Sequence, residues 1–322
     1  MSAAGTSAAP RTGGVVTFGE TMGLFVSANL GPLAHADTAR LSIGGAESNV
    51  AIALRRLGVS ATWVGRRGDD SVGDLVEREL RAEGLEVIAI RDPAQTGLMI
   101  KERRSKSASR VWYYRAQSAG SRLAPGDIPE GLIERSALLH VTGITPALSA
   151  TVRDATFEAV FRAKTAGVPV SFDINFRSRL WSQDQACEAL AALAAASDLV
   201  FAGDEEARII VDGTGEVELA RAIRELGPRQ VVIKLGARGR SSRSRPFLRT
   251  SSTRSAPATR LWPGISLNSS RARTRDRDWP PPFVRGLSPA RRRATGRACR
   301  SVRSCRCSAR VSPSCAEARD DQ

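Results

Sequence analysis

Ile43-Gly44-Gly45-Ala46-Glu47-Ser48-Asn49-Val50-Ala51-Ile52-Ala53-Leu54-Arg55-Arg56-Leu57-Gly58 decides how this chain is read. Val50, Ala53, Leu54 and Leu57 recur at helical spacing, and Gly58 stands where a helix stops on a left-handed residue. Ser48 reads as the N-cap. Two glycines ahead of the helix let the backbone turn sharply or pass close to a ligand. The helix would present free amides and the positive end of its dipole, with the Asn49 amide alongside. That suits a polyhydroxylated or anionic small molecule. It is equally the way an ordinary helix begins after a glycine turn.

Working outward, short apolar runs alternate with helical patterns. Val15–Phe18 and Thr62–Val64 read as buried strands, and the polar turn Arg66–Gly73 leads into a helix that runs to about Ala82. Leu85–Ile90 is the next strand. Thr96–Glu102 and Ser109–Tyr114 flank the polar turn Arg103–Ala108 as a hairpin, which breaks the alternation and so belongs outside the main sheet as a flap. Ala137–Val141, Val168–Phe172, Leu199–Phe201 and Val231–Lys234 read as strands. Helices are expected over Ser149–Ala166, Asp184–Ala196 and Val217–Leu226, with another from Asp204. Strands separated by helices predict an α/β fold with a doubly wound, mostly parallel sheet. Ligands of such sheets sit beyond the carboxyl ends of the strands.

The net charge of +15 invites a nucleic-acid reading, but its distribution argues otherwise. Residues 240–322 hold 20 arginines, no lysine and five acidic residues, whereas residues 1–239 balance 28 basic against 28 acidic side chains. The body contains one cysteine, Cys187, and two histidines, His35 and His140. It therefore reads as a cytoplasmic protein without disulfides or a Cys/His metal site, and the histidines as structural. No apolar run approaches the length of a membrane span, and residues 1–13 read as a disordered leader without a secretory apolar core.

Polar residues placed just after strands form a consistent set. Asp173, Asn175 and Arg177 would share one face if the extended form continued past Phe172. An acceptor, an amide and a guanidinium together suit a sugar hydroxyl beside a carboxylate or phosphate; a surface turn with an Asp–Arg pair is the plainer reading. Tyr113, Tyr114 and Arg115 close the hairpin's second strand beside the expected cleft. Gly203-Asp204-Glu205-Glu206 starts a helix with carboxylates, which favours the dipole and could also serve Mg²⁺ or water near phosphates. Lys234-x-Gly236-x-x-Gly239 is a glycine-rich turn after a strand, suited to a nucleotide.

In this order and spacing, Gly44-Gly45 with Asn49, Gly65…Gly68-Asp69-Asp70…Gly73, Asp173-x-Asn175-x-Arg177, Glu206-Ala207 and Lys234-x-Gly236-x-x-Gly239 resemble the ribokinase-like (PfkB-type) carbohydrate kinases over about residues 14–239. Within that family the Tyr-Tyr-Arg flap and Arg177 are most similar to 2-keto-3-deoxygluconate kinases. The resemblance implies a central sheet with a small β-lid, built from segments 21–42 and 95–116. It also implies ATP and Mg²⁺ as co-substrates, and a homodimer paired through the lid. Gly44, Gly45, Asn49, Tyr113, Arg115, Asp173, Asn175 and Arg177 would bind the sugar acid, Lys234, Gly236 and Gly239 the nucleotide, and Glu206 the metal through water. Gly203 stands where many members carry Asn.

The family's Gly-Ala-Gly-Asp motif should follow within about twenty residues of Gly239 by that resemblance, and its Asp is the catalytic base. It is absent. Suppose Ser251-Ser252-Thr253-Arg254-Ser255-Ala256-Pro257-Ala258-Thr259 is encoded with G at each third base. Read from those third bases, the same DNA gives Val-Asp-Ala-Val-Gly-Ala-Gly-Asp. Arg260–Ser270 then permits an amphipathic helix, and Leu287–Arg300 a further family-like segment. Residues 240–322 are therefore expected to be a frameshift product, and the protein to be catalytically impaired as translated. Two other readings are a non-catalytic sugar-acid binder and a nucleic-acid binder that uses the Arg-rich tail for salt-sensitive contacts with polyanions.

Overall fold

The computed structural model describes residues 13–105 and 108–236. Gly239 and the whole of 240–322 lie outside the described residues. The elements, in order, are β1 (Val15–Phe18), β2 (Met22–Ser27), β3 (Ala39–Gly44), α1 (Ala46–Arg56), β4 (Ala61–Gly68), α2 (Ser71–Ala82), β5 (Glu86–Asp92), β6 (Leu98–Arg103) and β7 (Ser109–Tyr114). They continue with α3 (Leu132–Arg135), β8 (Leu138–Thr142), α4 (Ala150–Thr165), β9 (Val170–Asp173), α5 (Gln183–Ala196), β10 (Leu199–Gly203), α6 (Asp204–Ile210), α7 (Glu216–Glu225) and β11 (Gln230–Lys234).

Seven strands form one parallel sheet in the order β11-β10-β9-β8-β1-β4-β5. The chain enters at the centre, builds toward β5, then returns to build β8 through β11 on the other side. The order therefore reverses between β1 and β8, and the crevice beyond their carboxyl ends is where ligands of such sheets bind. A second sheet, β3-β2-β6-β7, is the small β-lid: β2 and β6 run parallel, and β3 and β7 flank them antiparallel. It leaves and rejoins the main sheet at that crevice, since only Gly19–Thr21 separate β1 from β2.

A parallel sheet is stable only with both faces covered. Helix α1 packs on β1, β4 and β8, α4 and α5 pack on β8 and β9 or their surroundings, and α6 and α7 lie against β10 and β11. Phe18, Leu139, Phe172, Leu190, Leu193 and Ile223 are fully buried in the resulting core. A smaller core gathers Ala51, Trp63, Val76 and Leu80 under α1 and α2. Gly58, Gly84 and Gly167 end their helices with φ of +84°, +77° and +67°, as their positions in the sequence predict.

Two local expectations are corrected. Helix α1 begins at Ala46 with Gly45 as its N-cap; Ser48 lies inside the first turn and its hydroxyl donates to the Gly45 carbonyl at 3.3 Å. Arg66–Gly68, read as a turn, continue β4. Arg67 is buried there between Asp74 and Glu77 of α2, at 2.9 and 2.7 Å, which lets a charged residue finish an inner strand.

Asp70 joins α2 to the lid. Its carboxylate accepts from the Gly73 amide (2.7 Å), the Thr96 amide (2.8 Å) and the Thr96 hydroxyl (2.9 Å). Burial alone would raise this carboxyl, but those donors outweigh it and hold its pKa below the ordinary 3.8. Replacing it (Asp70→Ala) removes a helix cap and strands the Thr96 amide, with an expected loss of about 2–3 kcal/mol in urea unfolding at pH 7. Because the folded value is depressed, this stabilisation is complete above the unfolded value and disappears as acid protonates the folded carboxyl. The variant and parent should therefore converge in stability at the acid end.

Candidate functional site

The site is built at the reversal between β1 and β8. Gly45 caps α1 directly against the loop after β1: a Cβ there would lie 2.5 Å from the Glu20 carbonyl, so only glycine permits this approach. It places the first turn of α1 at the crevice, with Asn49 exposed on it. Gly44 ends β3 under the lid, where an added Cβ would meet the Met99 methyl at 2.4 Å. Met99 is the register partner of Tyr113 on β7, and its methyl reaches over the intervening β2 to Gly44. Tyr113 and Tyr114 are exposed.

Arg115 follows β7 and lies beneath the lid, nearly buried, paired through Nη2 with the Glu20 carboxylate. Glu20 also accepts from the Ser118 hydroxyl. A second buried carboxyl, Glu47 of α1, accepts from the Thr142 hydroxyl at the end of β8 (2.5 Å) and from that of Thr145. Burial pushes the Glu47 pKa up against those hydroxyls and the more distant charge of Arg115. Neither Glu20 nor Glu47 stands among the sequence-derived site residues. Glu20 had a signal, since it follows a strand directly. The partners of Glu47 are 95 and 98 residues away, beyond the reach of any local pattern.

Thr142 is the register partner of Asp173 on β9, so the same rim continues to the second group of expected residues. Asp173 does not share a face with Asn175 and Arg177 as an extended strand would require. β9 ends at Asp173, Asn175 turns to φ +37°, and the Arg177 guanidinium donates back to the Phe176 carbonyl at 3.1 Å. Asp173 pairs instead with Lys234 at the end of β11, Nζ to Oδ1 2.6 Å. Lys234 also lies 3.5 Å from Glu206, whose Oε2 accepts from the Gly203 amide at 2.7 Å. Asp173, expected on the sugar side, and Lys234 and Glu206, expected on the nucleotide side, thus form one charge cluster. Gly236 follows with φ +57°, consistent with a turn out of β11.

The donor set does not make a resident metal site. Among the described residues no group of three or more His, Cys, Asp or Glu is placed to hold an ion. Glu206 is already occupied by a backbone amide and an ammonium. Also among the described residues, no helix is long and apolar enough to cross a membrane.

His140, on β8 behind this cluster, is structural: Nδ1 lies 3.1 Å from the Ser171 hydroxyl and Nε2 is buried without a hydrogen-bond partner. Burial first, and the Lys234 charge second, push it down to about 4 from 6.5. Above pH 6.5 folded and unfolded imidazoles are both neutral. Below it the unfolded chain takes up a proton that the folded one refuses until about pH 4. Stability should fall by roughly 2–4 kcal/mol across that window, at ~1.4 kcal/mol per pH unit. His140→Gln is expected to flatten this limb, checked by urea unfolding at pH 7 and pH 5.

Comparison with known proteins agrees with this architecture. Residues 13–245 match the pfkB family of carbohydrate kinases. A 2-dehydro-3-deoxygluconokinase of Bacillus subtilis is 37% identical over 229 residues, 70% of each chain. A 2-dehydro-3-deoxygalactonokinase of Haloferax volcanii is 35% identical over 207 residues, 64% of this chain and 65% of its own. The solved structure of a PfkB protein from Polaromonas sp. JS666 is 38% identical, with a TM-score of 0.66 over 70% of this chain and 77% of that one. The chain thus spans about two thirds of the length of the curated relatives it matches.

Proposed function

The chain belongs to the pfkB family of carbohydrate kinases, and from that premise we propose that its pocket takes a 2-keto-3-deoxy sugar acid, 2-keto-3-deoxygluconate foremost. The observation that carries this reading is Arg115: a nearly buried guanidinium paired with Glu20, whose own carbonyl abuts the Gly45 cap of α1. A neutral sugar needs hydroxyl partners only. A guanidinium held in a dry crevice matches a carboxylate, for which charge-assisted pairing is strong and directional. Gly44, Gly45 and Asn49 would offer amides to the sugar, Tyr113 would close over it, and Asp173 would accept from a hydroxyl. Asn175 and Arg177 would reach it only after rearranging. The relatives' names, which cover both the gluconate and galactonate forms, support the substrate class.

ATP would lie on the other side of the Asp173–Lys234–Glu206 cluster, over Lys234, Gly236 and Gly239. Mg²⁺ would enter as part of the nucleotide complex, with Glu206 reaching it through water. Transfer itself would fail in this chain, because no Gly-Ala-Gly-Asp sequence supplies a base or an anion hole. A dimer through the lid and salt-sensitive adhesion of the Arg-rich segment to polyanions remain proposals that rest on resemblance and charge alone.

The test is calorimetric titration of the full chain with 2-keto-3-deoxygluconate and with 3-deoxyfructose, which carries a hydroxymethyl in place of the carboxylate. The acid should bind at least about tenfold more tightly, the worth of one charge-assisted hydrogen bond. Equal affinities would remove the sugar-acid assignment.

A further inference from the structure

Glu20 is a buried carboxyl that the assignment above leaves without a task. It is 3% exposed, in the three-residue link between the main sheet and the lid. An isolated carboxylate at that depth is costly, so its partners matter. One oxygen accepts from Ser118 and the other pairs with Arg115, and both partners lie in the segment that leaves the lid after β7. The pair therefore ties the entrance of the lid to its exit. Its surroundings are cut to fit. A Cβ at Gly97 would stand 2.6 Å from Glu20 Oε1, and one at Gly120 would stand 2.4 Å from its Cγ. Neither position tolerates a side chain while Glu20 occupies the notch.

Arg115 is held incompletely. Glu20 Oε2 meets Nη2 as an ion pair rather than a directed hydrogen bond, and both Glu20 Oε2 and Arg115 Nε are buried with no hydrogen-bond partner. A guanidinium has five N–H donors in a fixed plane, so fixing one nitrogen aims the others. A planar carboxylate ligand needs that aim, because two-point pairing depends on the plane of the fork.

We propose that Glu20 is a positioning residue for substrate binding: it fixes the guanidinium of Arg115 at the foot of the lid so that the donors left over face the carboxylate of the sugar acid. This rests on the sugar-acid reading of the pocket. Glu20 touches no substrate and acts through Arg115. Its removal should therefore weaken the acid selectively and leave the hydroxyl contacts of a neutral sugar intact.

The experiment uses the full chain and its Glu20→Gln, Glu20→Asp and Ser118→Ala variants. Each is titrated with 2-keto-3-deoxygluconate and 3-deoxyfructose, and the Arg115 Nε–H resonance is followed by ¹⁵N NMR. Glu20→Gln should weaken the acid by about 10–30-fold, as loss of a buried ion-pair partner does, while the neutral sugar changes less than about twofold. Glu20→Asp should restore part of the acid preference. The Arg115 Nε–H signal should move or vanish in Glu20→Gln. Equal weakening of both sugars, or an unmoved Arg115 signal, would overturn the proposal. Should the parent show no preference for the acid, the sugar-acid reading fails, and the Arg115 signal still decides whether Glu20 holds the guanidinium. Should Glu20→Gln not fold, Ser118→Ala removes only the hydroxyl that steadies Glu20. It should cost the acid about threefold, a fraction of one hydrogen bond; no selective loss there would also overturn the proposal.

Discussion

A chain in which one base restores the alternative frame after Gly239 is expected to phosphorylate 2-keto-3-deoxygluconate at least about 10²–10⁴-fold faster than the 322-residue chain, the range attributed to a general base. The gain should exceed that figure if the glycine amides of the restored motif also hold charge on the transferring phosphoryl group. Among the positions assigned to the sugar, Asp173 is the one carboxylate, and it pairs with Lys234 at 2.6 Å. Its Oδ1 is thus already engaged by an ammonium, and no other carboxylate stands among the positions assigned to the sugar. A steady-state assay of sugar phosphate with MgATP decides the matter. Equal rates for the two chains would show that the residues after Gly239 do not carry the chemistry.

The second large effect concerns stability. Phe172 is fully buried in the core between the main sheet and α4–α5, and the residue after it is Asp173. Phe172→Ala should cost about 3–5 kcal/mol, from lost transfer energy plus the cavity left behind. Phe161 on α4 is 69% exposed, and Phe161→Ala should change stability by less than ~0.5 kcal/mol. Urea midpoints followed by tryptophan fluorescence compare the two directly. Similar costs would mean that residues 13–236 do not pack around the described core.

Much of this architecture was legible in the sequence, for identifiable reasons. Glycine stops at 58, 84 and 167 and the apolar runs between them gave the βα alternation, because helix ends and buried strands are specified locally. The hairpin at 96–114 stood out through its polar turn and lies in the second sheet. Strands β2 and β3 were not separated within the lid segment. Ala39–Gly44 is exposed along much of its length and offers no alternation to read. At Asp173–Arg177 the expectation failed because alternation assumes that the strand continues, and the left-handed Asn175 ends it. Asparagine tolerates that conformation, so the sequence carries a permission there and no instruction.

The charge pairing was the least legible part. Arg115 with Glu20, Glu47 with Thr142 and Thr145, and Lys234 with Asp173 and Glu206 all join elements far apart in the chain. Each strand end is polar for a reason that the strand alone does not give. The order of strands, which reverses between β1 and β8, brings these ends together, and that order follows from the connections rather than from any residue.

A pocket with a sugar-acid wall and no phosphoryl-transfer wall, as proposed above, would bind the sugar acid without turning it over. Equilibrium dialysis of the full chain with labelled 2-keto-3-deoxygluconate and MgATP, followed by separation of sugar from sugar phosphate, tests both halves in one sample. Label retained by the protein and recovered unphosphorylated is the predicted result. Label recovered as sugar phosphate, or no retained label at all, would contradict it.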